Sequence, residues 1–223
     1  MAKNNQQEAQ QEQVATTVSG VEEFFKKNQK WIEWAVIAII VVVLGILAYN
    51  KWVLAPAKQE AQGQMFPAEQ QFRAGNFEAA LNGDGNILGF NQIIDEYGTK
   101  GGKSVYLYAG ICNLQLGNNE EAISMLKKYS TSDKIMTGRK LCAMGDAYSN
   151  MQDYNNALDC YKKAAALEDN TYAASYLLKA GILSEEMGKP EEALKCYKEI
   201  EAKYPQTLEG YDIQKYISRI ENK

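Results

Sequence analysis

The chain has no histidine. That removes the usual general base, the Ser–His and Cys–His nucleophile pairs and the most frequent metal ligand, so an enzymatic reading lacks its commonest parts. Cysteine is sparse. The four residues Cys112, Cys142, Cys160 and Cys196 form no CxxC pair, and each falls on a predicted helix, where cysteine usually serves as a small apolar packing residue. Excess charge of one sign is missing too. Residues 1–33 carry 4 lysines against 5 glutamates, and residues 56–223 carry 19 basic against 23 acidic groups. No segment is basic enough to follow a phosphate backbone, so nucleic acid is not an expected partner. No carboxylate pair or metal-ligand spacing stands out, and catalytic, cofactor and metal sites are all expected to be absent.

What the chain does have, early on, is one long apolar run. From Trp34 to Asn50 there are 17 residues without a charge, WAVIAIIVVVLGILAYN. Lys51 can snorkel, so that Trp52 to Ala55 extend the run, and Trp34–Ala55 would span about 33 Å as a helix against about 30 Å of hydrocarbon. Trp31, Trp34, Tyr49 and Trp52 bracket it as an aromatic belt, and Pro56 is expected to end it. The reading is a transmembrane signal anchor over 31–55. The rival is a cleaved signal peptide, with Ala55-Pro56-Ala57 as a loose small-residue site; the long polar leader and the aromatics on both sides speak against it. No cysteine near the end of the run supports a lipoprotein anchor. Lys26, Lys27 and Lys30 outnumber Lys51 and Lys58 across the segment, which favours the N-terminus inside. Residues 1–30 read as a cytoplasmic tail, disordered over 1–20 and either amphipathic or a solvated helix extension over 21–30.

Beyond Pro56 the sequence repeats with a period near 35. Ala122, Ala157 and Ala193 lie 35 and 36 residues apart, each after a short turn, and Gly110, Gly145 and Gly181 each stand twelve residues earlier. Small residues at such spacing let the two helices of a hairpin approach, glycine facing alanine across the crossing. Large residues fill the flanks, with Leu126, Tyr161 and Tyr197 each four residues after an alanine. Asn119 and Asp153 are suited to capping the second helices, Glu120, Glu121, Glu191 and Glu192 to their positive ends, and Pro190 to a first helical position.

These residues resemble the tetratricopeptide-repeat (TPR) family, whose pattern sets small residues at two facing helix positions and proline near the repeat's end. Leu177, Ala180-Gly181, Ala193, Tyr197 and Pro205 match most fully; Lys134 and Asp169 stand where the two preceding repeats should have proline. The resemblance implies an all-α fold: a single N-terminal transmembrane helix, then a right-handed TPR α-solenoid of about four helix hairpins plus a C-terminal capping helix. The TPR domain would occupy 57–223. Its repeats fall at about 57–98 with an insertion at 81–86, then 103–134, 138–170 and 174–206, and a cap follows at 207–222.

Two local motifs fail as chemistry. Asn82, Asp84 and Asn86 alternate as in a calcium loop, but Ile87 and Ile93 occupy the places that need glycine and glutamate. Gly83, Gly85 and Gly89 miss GxGxxG by one residue and follow no strand. The segment reads as a Gly/Asn turn lengthening a hairpin. Cys160 and Cys196, equivalent in successive repeats, should stand too far apart to bridge; free thiols outside the cytoplasm would be unusual.

In a TPR stack the first helices line the concave face. Transferring that placement gives Leu107, Ile111, Leu114, Arg139, Asp146, Asn150, Leu178, Ile182 and Glu185 as candidate protein-binding residues. The competing reading has Leu107, Ile111 and Ile182 simply packing between repeats. A basic clamp for a terminal carboxylate is not expected, because Leu107 and Ile111 stand at two clamp positions. Short tail, single anchor and small TPR domain together resemble the YfgM-like ancillary subunits of the bacterial Sec translocon. That resemblance implies a single-pass protein of the bacterial inner membrane, its N-terminus cytoplasmic and its TPR domain periplasmic. It also implies as partners the Sec channel subunits, a membrane-anchored periplasmic foldase and exported polypeptides, besides the lipid around 31–55. The alternative is a structural scaffold for an envelope complex with no chaperone role.

Overall fold

The computed structural model describes residues 27–167 and 170–222, so the expected disordered tail and most of the amphipathic stretch at 21–30 lie outside the described residues. The chain divides into two units, Met1–Pro56 and Ala57–Lys223. In the first, helix α1 runs over 27–49 and passes into a π-helical turn, Asn50–Leu54. Its valines, leucines and isoleucines from Val36 to Leu47 are exposed, and Trp31, Trp34, Tyr49, Lys51 and Trp52 are exposed at its ends. A helix that is apolar on every side and covered by nothing is unstable in water; by length and composition this one can cross a membrane. Pro56 does not stop the helix. It stands second in α2 (Ala55–Arg73), just after the Ala55 N–H has donated to the Asn50 carbonyl five residues back. That widened turn relieves the press of a proline ring on the preceding carbonyls.

The second unit is built of α2, α3 (Phe77–Asn82), α4 (Phe90–Tyr97), α5 (Ser104–Gln115), α6 (Asn119–Lys128), α7 (Lys134–Asn150), α8 (Tyr154–Ala166), α9 (Thr171–Glu186), α10 (Pro190–Lys203) and α11 (Leu208–Glu221). Among the described residues there is no strand. Hairpins α5/α6, α7/α8 and α9/α10 follow one another, and α11 covers the last. The first repeat is irregular. Instead of lengthening a hairpin, the glycine-rich insertion splits the second helix into α3 and α4, joined by residues 83–89. There Asp84 Oδ1 accepts from the Asn86 and Ile87 N–H groups at 2.9 and 3.0 Å, and those bonds hold its carboxyl below its ordinary pKa. The aspartate is closing a turn, and no group of three or more metal-ligating side chains occurs among the described residues.

The four hairpin turns share one device that periodicity does not reveal. Gly75, Gly117, Gln152 and Gly188 all take a positive φ, between 62° and 83°. At each turn the next residue's N–H returns to a carbonyl five positions back: Asn76 to Gln71, Asn118 to Asn113, Asp153 to Tyr148 and Lys189 to Ser184, at 2.8–2.9 Å. This closes each first helix with a left-handed residue and satisfies its last carbonyls. Gln152 occupies a conformation that costs a β-carbon about 1–2 kcal/mol. Of the expected caps, Asp153 accepts from the Asn156 N–H, whereas Asn119 donates to the Gly117 carbonyl and Asn118 takes the cap position. Pro190 opens α10 as expected.

The crossings add a partner that the spacing did not single out. Ala122, Ala157 and Ala193 are fully buried, and the side chain nearest to each glycine is the large residue four positions after the alanine. A β-carbon on Gly110 would meet Leu126 Cγ at 2.7 Å, one on Gly145 Tyr161 Cε1 at 2.5 Å, and one on Gly181 Tyr197 Cε1 at 2.3 Å. Each glycine is a notch for the large residue one helical turn beyond the alanine. The notch works because a leucine or tyrosine side chain packed this close to the first helix leaves no room there for a β-carbon. Three apolar clusters result: one under repeats one and two, one joining repeats two and three, and one running from repeat three through the cap.

Candidate protein-binding surface

The first helices α5, α7 and α9 carry the predicted binding residues, which the structure places in three different situations. Leu107 is 3% exposed and packs with Ile123, Leu126, Ala143 and Met144 between repeats two and three. That corrects its assignment to an open face: the register of α5 turns it into the junction. Ile111, Leu114 and Leu178 are half-buried against the same or the next cluster, and Ile182 is half-buried outside both. They offer part of an apolar surface.

The charged members are already engaged. Asp146 accepts from the Tyr161 hydroxyl at 2.7 Å and pairs with Lys179, whose Nζ lies 2.7 Å from Oδ2. Glu185 accepts from the Tyr197 hydroxyl at 2.7 Å and pairs with Arg219 of α11. In both cases the tyrosine seated in the glycine notch reaches through the hairpin to a carboxylate on the first helix, and a cation from the next repeat or from the cap closes the set. Burial and the facing carboxylate drive both phenols above the ordinary range, so they remain donors. Arg139 lies over the Tyr172 ring at 5.1 Å and donates to its hydroxyl, and Asn150 donates to Asn119 at 3.0 Å. This face therefore presents apolar side chains among polar groups, with Asp146 and Glu185 each paired to a cation and Arg139 resting on a tyrosine.

Sequence reasoning missed a second surface. A groove of about 790 Å³ lies on the side of the second helices, between α8 and α10, with Leu177, Ala165, Ala166 and Cys196 along it and Lys162 paired to Glu192 across it. The signal was present in the small residues Ala165 and Ala166, but which groove they would border depends on helix rotation. The four cysteines are free thiols. Burial pushes Cys112 up to about 12 and Cys142 up to about 11, so neither is poised as a thiolate nucleophile.

Tetratricopeptide repeat family models match residues 104–132, 141–171 and 175–207. Comparison of the sequence with curated proteins finds no match. Two solved structures share the fold. One, described as the crystal structure of MamA protein, is 19% identical with a TM-score of 0.57, over 74% of this chain and 84% of that one. Another, the crystal structure of MamA, is 19% identical with a TM-score of 0.53, over 70% of this chain and 92% of that one. At such identity the likeness speaks for the fold alone. Hairpins, notched crossings and family matches converge on one statement: the chain carries tetratricopeptide repeats, a scaffold of protein–protein interaction, behind an N-terminal helix long and apolar enough to span a membrane.

Proposed function

We propose that this protein is a membrane-anchored accessory subunit of the bacterial Sec translocon, its repeats on the periplasmic side receiving exported chains near the channel alongside a membrane-anchored foldase. The observation that carries the proposal is the occurrence, in one chain, of a long apolar helix and a repeat face whose carboxylates Asp146 and Glu185 are already paired to cations of this chain. Ile111, Leu114, Leu178 and Ile182 give an emerging, unfolded segment apolar contact, while Asp146 and Glu185 are held by cations of this chain and impose no charge requirement. Binding through these apolar side chains depends little on salt, because the carboxylates beside them need no charge from the ligand. The lysine bias around the apolar run supports the orientation, and the tail-anchor-repeat order supports the translocon assignment.

The test is photocrosslinking in intact cells from Ile111 and Ile182, both partly exposed. Channel subunits, the foldase or exported chains among the products would support the role; products lacking all three would end it. A second reading, a scaffold for an envelope complex, is favoured by the groove between α8 and α10. It predicts crosslinks from Ala166 to one folded partner and none from Ile182 to exported chains.

A further inference from the structure

The ion pairs of the repeat unit are unevenly placed. Besides pairs four residues apart on one helix, four pairs join different helices: Asp146 with Lys179, Lys162 with Glu192, Glu185 with Arg219 and Lys198 with Glu221. The first two tie repeat three to repeat four, and the other two tie repeat four to the cap. Gln214 of α11 adds a hydrogen bond to Glu201 of α10. Among the described residues no ion pair crosses from repeat one to two or from two to three.

The sequence explains the asymmetry. Leu126 fills the notch at Gly110 and has no hydroxyl to extend across the hairpin. Ile111 stands one residue after Gly110 as Asp146 stands after Gly145, and Leu114 stands four after Gly110 as Glu185 stands after Gly181. Ala143 holds the place that Lys179 holds in the next repeat. The junction of repeats two and three is consequently apolar, with Leu107, Ile123 and Leu126 meeting Ala143, Met144 and Ala147. Among the described residues its polar links are two single bonds, Asn150 to Asn119 at 3.0 Å and Lys140 to the Tyr129 carbonyl at 3.3 Å. The junction of repeats one and two lacks ion pairs as well, but there Phe72, Phe90 and Tyr108 interlock with ring centroids 5.1–6.4 Å apart.

Apolar contact depends on area and hardly on direction, and Met144, with three rotatable bonds, can follow a shifting neighbour. A carboxylate held by both a hydroxyl and a cation fixes distance and angle. Each of these partly exposed pairs adds little to stability, so their effect is on geometry more than on stability. We infer that repeats three and four and the cap move as one body, and that the solenoid flexes where α6 meets α7. Bending there changes the spacing of α5 and α7 and lets the face of first helices fit occupants of different width. This holds whether or not the translocon role is correct.

The experiment measures two distance distributions by pulsed electron resonance on the full chain in detergent micelles, with nitroxides on noncanonical residues and the native thiols untouched. One pair, at Glu120 and Glu191, spans the two–three and three–four junctions; the other, at Asn155 and Lys215, spans the three–four and cap junctions; all four positions are exposed. The first distribution should be about twofold broader, as local motion confined to one junction requires. Equal widths, or a broader second pair, would overturn the inference. In Asp146→Asn with Glu185→Gln, helix content should be kept and the second distribution should widen towards the first. An unchanged width in that variant would refute the ion pairs as the cause.

Discussion

Replacing Gly181 by alanine tests the notch directly. The added β-carbon would lie 2.3 Å from Tyr197 Cε1 and 2.9 Å from both Cδ1 and Cζ, where ordinary carbon contacts are about 3.5–4.0 Å. The ring has to withdraw by more than about 1 Å, and it is fully buried in an interior that packs closely. Overpacking of this kind costs about 1–3 kcal/mol, and the shifted hydroxyl weakens its bond to Glu185 by about 1 kcal/mol. Against this, alanine gains about 1 kcal/mol of helix propensity. The net expectation is a loss of about 1–3 kcal/mol. Gly63→Ala is the control, since a β-carbon there meets nothing within 4 Å and should stabilise α2 by about 0.5–1 kcal/mol. Urea unfolding of the full chain in detergent, followed by circular dichroism, should move the two midpoints in opposite directions, the Gly181 variant down by roughly 1 M for a slope of 1–3 kcal/mol/M. Adding Tyr197→Leu, which recreates the glycine and leucine combination of repeat two, should cost less in the Gly181→Ala background than in the parent. A Gly181→Ala midpoint at or above that of the parent, or strict additivity with Tyr197→Leu, would refute the notch.

Gln152 is the one non-glycine in the left-handed turn position of the four repeats, so Gln152→Gly should raise stability by about 0.5–1 kcal/mol in the same urea assay, whereas Gly117→Gln should lower it. Val42 stands at the centre of the apolar run; Val42→Arg should cost about 2.5–3.5 kcal/mol of insertion and shift the chain from the carbonate-resistant membrane fraction to the supernatant. Stability should fall at alkaline pH. Burial pushes the Tyr176 phenol up to about 12 and the Cys112 thiol to about 12, from ordinary values near 10 and 9. The unfolded chain then releases these protons first, so the contribution is complete below about pH 9 and disappears as pH rises through about 12. Tyr176→Phe should flatten the part of that decline above pH 10, as read from thermal midpoints.

Much of the architecture was legible. Alternation of small and large residues at a fixed period marked α5 to α10, and the repeat-family matches fall on the same hairpins. Ends were less legible. Asp133 caps α7 by accepting from the Met136 N–H, so Lys134, read as the end of one repeat, and residues 135–137, left between repeats, are helical, and Thr207 caps α11 likewise. A cap works by where its side chain points, which spacing cannot tell. The candidate face was legible only as a set of helices. Leu107 and Ile111 are four residues apart on α5, yet one is sealed into a junction and the other is half open.

Composition and order by themselves determined that the chain carries, ahead of its helix hairpins, one helix long and apolar enough to span a membrane, because apolar length and repeat period are properties of a line of residues. Only the tertiary structure decided which groups are spent inside the fold. Asp146 and Glu185 read as ligand contacts until Tyr161 with Lys179, and Tyr197 with Arg219, come to them from 12–34 positions away. Whether a charge is free depends on what the neighbouring repeat brings within 3 Å, and that distance exists only once the repeats have stacked.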